Sequence, residues 1–426
     1  MTAAGAFLGS ARSRLLPASV PFRFFVAAAV FHVLLWLVLL VAAADFPRFR
    51  GGAGPALAAV HLLTLGVLTM TAIGAAVQLL PVATTRPLAA VWPIQLAFWL
   101  LLPGAVALIG GMLIADARLM IGGAVASTLG LLPFALLLAD NLRRANSMPV
   151  VRAYGWAAMA SLLVLVALGV ALSVDADGGG LLADRSGAAL AHMILGGFGF
   201  MGMLALGFSH VLIPMFALSN APNRRIADVG FAAAAASVVL GVAGAGLGHR
   251  SLLIAACGVG AVAVAVHLRL MQVALATGMR KRLGLSFVLV RAAWASLALT
   301  PLLGVAVAQG WAGAGGPTLF GLVALGGWLM TFLFGILQRI APFLASMHVS
   351  RASGGPPLLT EFGSETPLRI HAGCHLGALI LLAAAIVLDS APLAALAALI
   401  GLAGALAFAA SILTIVQSLA AGRTRG

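Results

Sequence analysis

Charge is what this chain has least of. Only 8% of its 426 residues are charged, 24 basic and 10 acidic, against roughly 25% in a soluble domain. That is too little polar surface to cover a compact body in water, and a soluble globular fold is excluded. Aromatic polar residues are scarce as well, with Tyr154 the only tyrosine. No basic tract is interleaved with aromatics, so the net charge of +14 does not point to nucleic acid. The two cysteines, Cys257 and Cys374, lie in separate apolar stretches. They offer no disulfide framework and no iron-sulfur cluster, and no Cys-x-x-Cys-His is present to attach a c-type haem.

What the sequence has instead is apolar length. Hydrophobic residues make up 63% of the chain, and a spanning helix needs about 20 of them in succession. Breaks at charged or Gly/Pro-rich clusters divide the chain into twelve such spans, near 21–44, 56–82, 88–115, 119–139, 152–174, 187–218, 226–247, 250–275, 284–310, 316–346, 369–389 and 391–420. The first run is longer than a signal-peptide core of about 7–15 residues and is read as a span. The expected fold is all-α, a single polytopic membrane domain.

Basic residues accumulate on the cytoplasmic side of bacterial inner-membrane proteins. Eighteen of the 24, including Arg12, Arg14, Arg143, Arg144, Arg280, Lys281, Arg282, Arg351 and Arg425, fall at the termini or in loops after even-numbered spans. Arg48, Arg50, Arg118, Arg185 and Arg250 fall on the other side, and Arg291 lies within the ninth span. Both termini are therefore expected in the cytoplasm.

Three even-numbered spans end alike, as Gly74-AAVQLL-Pro81-Val82, Gly207-FSHVLI-Pro214-Met215 and Gly335-ILQRIA-Pro342-Phe343. Each holds a polar residue three or four places before its proline: Gln78, His210, and Gln338 with Arg339. Four spans separate successive copies, so the repeats (about 21–139, 152–275 and 284–420) run parallel, in three arcs of four helices about an axis along the membrane normal. Each proline frees a carbonyl one turn back, which the neighbouring polar side chain is expected to satisfy.

Nine histidines are an unusual polar choice for such a chain, since imidazole is both a metal ligand and a proton carrier. His61 and His192 are repeat-equivalent, each near the outer end of its span, and Phe320 or Leu322 stands in the third copy. His61, Thr64, Thr71 and Gln78 form one polar stripe, and His192, Gly196, Gly199, Met203 and His210 share another face. Two readings stay open for His61 and His192: a polar link between helices, or ligation of haem iron or copper. His210 lies about 27 Å from His192 along one helix and would serve a site at the opposite membrane face. A further group combines His348 with the i, i+4 pair His371 and His375, which can chelate a metal or simply form a hydrated helix end. His32, His249 and His267 stand isolated and are expected to be structural.

The segments His61-LLTLG-VLTMTAIGAAVQLLPV, His192-MILGGFGFMGMLALGFSHVLIPMF and Gly335-ILQRIAPFL resemble the subunit I-like proteins of the haem-copper oxidase superfamily, including its NnrS-type relatives. The resemblance covers nearly the whole chain. It implies that His61 is an axial ligand of a b-type haem and that His192 stands where the sixth helix supplies a copper ligand. Its departures are as informative. No adjacent histidine pair occurs in the seventh span, no His-x-His in the tenth, and no tyrosine in the sixth. A complete oxygen-reducing centre is therefore not expected. The roles it implies are electron transfer, nitric oxide response or haem and metal handling, with a quinol or a cytochrome as electron donor. A different class is a cofactor-free transporter or channel, its path lined by Gln78, His210, Gln338 and Arg339. A scaffold subunit without cofactors is a third.

Overall fold

In lipid every backbone amide must find its partner within the protein, and a helix does this segment by segment. The computed structural model describes residues 15–84, 86–178, 180–348 and 364–423. It is 85% helical, with no strand among the described residues. Twelve helices are long and apolar enough to cross a membrane: α1 (Ser19–Val41), α2 (Pro55–Val82), α3 (Trp92–Ile114), α4 (Ala117–Arg144), α5 (Pro149–Asp175), α6 (Arg185–Ala217), α7 (Arg224–Gly246), α8 (Arg250–Thr277), α9 (Gly284–Gln309), α10 (Gly316–His348), α11 (Glu365–Val387) and α12 (Ala391–Ala421). Each coincides with one of the spans expected from the sequence. Arg12, Arg14, Arg351 and Arg425 lie outside the described residues. Side chains cap the starts where short polar residues precede an apolar run: Asp116 accepts the Leu119 N–H at 2.8 Å and Asp184 the Gly187 N–H at 2.9 Å.

The helices pack with a period of four. α1 lies on α2, α5 on α6 and α9 on α10; α3 pairs with α4, α7 with α8 and α11 with α12; α4 joins α5, α8 joins α9 and α12 closes on α1. The three arcs thus form a ring, with α2, α6 and α10 meeting at its centre. Burial follows: 61% of the span window of α2 and of α10 is buried, against 17% for α8. Leu136, Val239, Leu302 and Ile380 stand exposed on the outside, as a lipid-facing surface requires.

Two features of the central helices recur three times. The first is the repeat glycine. A Cβ on Gly74 would come within 2.9 Å of Phe25 in α1, on Gly207 within 2.7 Å of Tyr154 in α5, and on Gly335 within 2.8 Å of the Ser286 carbonyl in α9. Each marks where the preceding helix crosses too closely for any side chain, and small residues at such crossings let membrane helices approach. The second is a stretch of π-helix, at Leu62–Thr69 in α2, Leu195–Gly202 in α6 and Leu322–Met330 in α10, and the three stretches touch one another on the axis. Such widened turns are frequent at functional sites. Threonine hydroxyls tie down two of them, each bonding the carbonyl five residues back at 2.9 Å: Thr69 to Thr64 and Thr331 to Gly326.

The polar residues before the repeat prolines act differently from expectation. They reach other segments rather than their own helix. Gln78 accepts the backbone N–H of Leu16 at 3.2 Å, His210 lies against Tyr154 and His267, and Gln338 turns towards His371.

Candidate functional site: three groups of histidines between helices

The first group joins α2 to α6. Pro55 starts α2 at the position where its missing N–H costs nothing, and His61 follows on the second turn. Its Nδ1 lies 3.1 Å from the carbonyl of Leu57. His192, at the matching place in α6, directs Nδ1 at the carbonyl of Leu165 in α5, 3.2 Å away. A carbonyl only accepts, so both rings carry their proton on Nδ1, and in both the Nε2 lone pair has no partner among the described residues. That is the state in which a ligating histidine is held by its surroundings. The two rings are half-buried, 6.4 Å apart between centroids and inclined by 25°, too far apart for face contact. Gly169 makes room on α5, since a Cβ there would come within 3.1 Å of the His192 ring. The π-helical stretch of α2 begins with the residue after His61, and that of α6 three residues after His192. In α10 the corresponding surface is apolar: Phe320 packs on Phe198 of α6 at 6.0 Å. The repeat therefore supplies two imidazoles and a phenyl ring.

The second group brings together His32 of α1 with His371 and His375 of α11. One ring nitrogen from each lies within 4.8 Å of the other two. All three are at most 1% exposed. Phe334 of α10 touches all three rings, with centroid separations of 4.5, 4.7 and 5.4 Å. The outward nitrogens are engaged: Trp36 donates its indole N–H to His32 Nε2 at 3.0 Å, His375 Nε2 meets the Thr331 hydroxyl at 2.8 Å, and His371 Nδ1 faces the Gln338 amide at 3.4 Å. The inward ones, His32 Nδ1, His371 Nε2 and His375 Nδ1, have no hydrogen-bond partner among the described residues. A buried polar atom without a partner costs about 1–3 kcal/mol.

The third group sets His210 of α6 against His267 of α8 at 5.8 Å and against Tyr154 of α5 at 5.9 Å. His210 is thus separate from His192, as their spacing requires.

Several expected placements change. His348 does not join His371 and His375. Its Nδ1 lies 2.7 Å from the Leu344 carbonyl and its Nε2 2.8 Å from that of Leu16, so it ties the end of α10 to the segment before α1 and has no nitrogen left for a metal. Arg339 does not line a path. Its guanidinium donates to Ser286 Oγ at 2.6 Å and to the Leu283 carbonyl, and it lies over the rings of Phe216 and Phe287 at 5.4 and 5.1 Å. Gln78 and Gln338 are likewise buried between helices. A groove of about 460 Å³ lies at the α8–α9 surface, beside Gln272, Arg291 and Trp294, away from the axis. His32 and His267 prove not to be isolated. The i, i+4 spacing of His32 and Trp36 was the available signal for the former, whereas nothing in the local pattern around His267 pointed across to His210. The chain matches no family model and no curated protein.

Proposed function

We propose that this chain is a bacterial inner-membrane electron-transfer protein of oxidase-subunit-I-like architecture, holding a b-type haem iron between His61 and His192. The observation that carries this reading is the matched tautomeric state of two repeat-related imidazoles. Each is anchored through Nδ1 to a backbone carbonyl, and each keeps Nε2 without a partner among the described residues. Hydrogen bonding at Nδ1 raises the basicity of Nε2 and fixes the ring, the arrangement that favours axial ligation. The fit extends to the surroundings. Gly169 lets α5 pack directly on the His192 ring, where a Cβ would come within 3.1 Å of it, and so holds that imidazole in place. When bound, the haem supplies a one-electron couple whose potential is set by its axial ligands and its burial.

The protein's own part is to orient the two imidazoles and to keep them half-shielded among apolar side chains. His61 and His192 sit at the same end of the bundle, the end of the loops poor in arginine, so electrons from a quinol or a cytochrome would enter near the periplasmic face. With no histidine pair on α7 and Phe320 on α10, the donor set supports electron transfer rather than oxygen reduction. Cofactor-free transport along the axis has weaker support, because Arg339, Gln78 and Gln338 are committed between helices. The test is a reduced-minus-oxidised spectrum of the chain purified from haem-replete cells. A Soret band that His61→Ala or His192→Ala abolishes or shifts is expected, and colourless wild-type protein overturns the reading.

A further inference from the structure

The structure assigns a second, independent metal site: we infer that His32, His371 and His375 bind one copper(I) ion in the membrane interior, with His371 and His375 as the chelating pair on α11 and His32 of α1 as the third ligand. The argument begins with protons. Thr331 gives its hydroxyl proton to the Gly326 carbonyl, so its oxygen can only accept from His375 Nε2. That ring is therefore protonated on Nε2, and its inward Nδ1 is a bare lone pair. As placed, the Gln338 amide nitrogen donates to His371 Nδ1 at 3.4 Å, which puts that ring's proton on the inward Nε2; turning the amide over lets its oxygen accept from Nδ1–H instead and bares Nε2. Two ring nitrogens one helical turn apart on α11, both buried and without a partner among the described residues, thus face one spot, His375 Nδ1 bare as it stands and His371 Nε2 bare once the Gln338 amide turns.

His32 differs. Its Nε2 accepts the Trp36 indole N–H, so its own proton sits on Nδ1, facing inward. To become a ligand it must move that proton to Nε2 and release Trp36, exchanging one neutral hydrogen bond for a metal–nitrogen bond.

The identity of the ion follows from charge. The site holds three neutral imidazoles, and the acidic side chain nearest along α11, Glu365, is exposed and paired with Arg369 at 2.8 Å. Among the described residues no anion compensates a buried cation here, and the desolvation cost grows with the square of the charge. A monovalent, soft, imidazole-binding ion is favoured over a divalent one. The Phe334 and Phe408 rings around the imidazoles add polarisable surface without adding charge.

The test is titration of the full purified chain, in detergent under anaerobic reducing conditions, with copper(I) alone against a chromogenic chelator. The wild type is expected to take up one ion more than the His371→Ala/His375→Ala variant. Thr331→Val should weaken that uptake about tenfold, and Trp36→Phe should strengthen it, because no indole proton then competes for His32. A purely structural triad would not yield these opposite directions. Equal uptake by wild type and the double variant, or tighter binding of zinc(II) than of copper(I), overturns the assignment. Both measurements are separate from the haem spectrum, so failure of either reading leaves the other standing.

Discussion

Thr331 links a widened turn of α10 to His375 of α11: its hydroxyl donates to the Gly326 carbonyl at 2.9 Å and receives His375 Nε2–H at 2.8 Å. One side chain thereby satisfies a π-helical carbonyl and fixes the tautomer of a buried imidazole. Removing it should cost more than removing an ordinary helix threonine. Thr331→Val is expected to lower stability by about 1–3 kcal/mol, since His375 Nε2–H would be left unpaired. Thr414→Val, whose exposed hydroxyl only back-bonds to Ala410, should change it negligibly. Thermal unfolding of the two detergent-solubilised variants measures the difference, and equal melting temperatures would refute the coupling.

The repeat glycines make a second prediction. Gly207→Ala should destabilise by about 1–3 kcal/mol, because its Cβ would press within 2.7 Å of Tyr154. Gly258→Ala meets nothing within 4 Å and should be neutral or slightly stabilising through better helix propensity. Comparable losses at both positions would show that close approach of α5 is not what the repeat glycine secures.

For the haem pair, His61→Ala and His249→Ala provide the contrast. The former removes a ring with an unpaired Nε2 beside His192, while the latter alters a loop residue preceding α8. Haem content should fall below a tenth of wild type in the first and stay full in the second, as read by the pyridine haemochrome assay. Identical, full haem content in both would make His61 a packing residue.

Orientation has its own test. A cysteine introduced in the Arg280-Lys281-Arg282 loop should stay unlabelled by an impermeant thiol reagent applied to intact cells, as the basic excess of that side requires. One introduced beside Arg48, in the loop joined to Asp389 by an ion pair, should react. The reverse pattern would invert the topology.

The twelve spans and the threefold repeat were legible in the sequence because both follow from local composition. A run of apolar residues must become a helix in lipid, and a parity of four fixes which helices are equivalent. The pairing of His61 with His192 was legible only as equivalence of position, since their contact depends on α2 and α6 meeting at the axis. The triad was beyond reach for a related reason. His371 and His375 declared themselves by spacing, but His32 lies more than 300 residues earlier and joins them only because α12 closes the ring onto α1. His348 was grouped with the wrong residues, and the partners of Gln338 and Arg339 were out of reach, on the same ground. A polar residue in a membrane helix must face protein, and the sequence alone states that requirement. Which neighbour satisfies it is set by the crossing of helices, and here those crossings join Gln338 to α11 and Arg339 to α9.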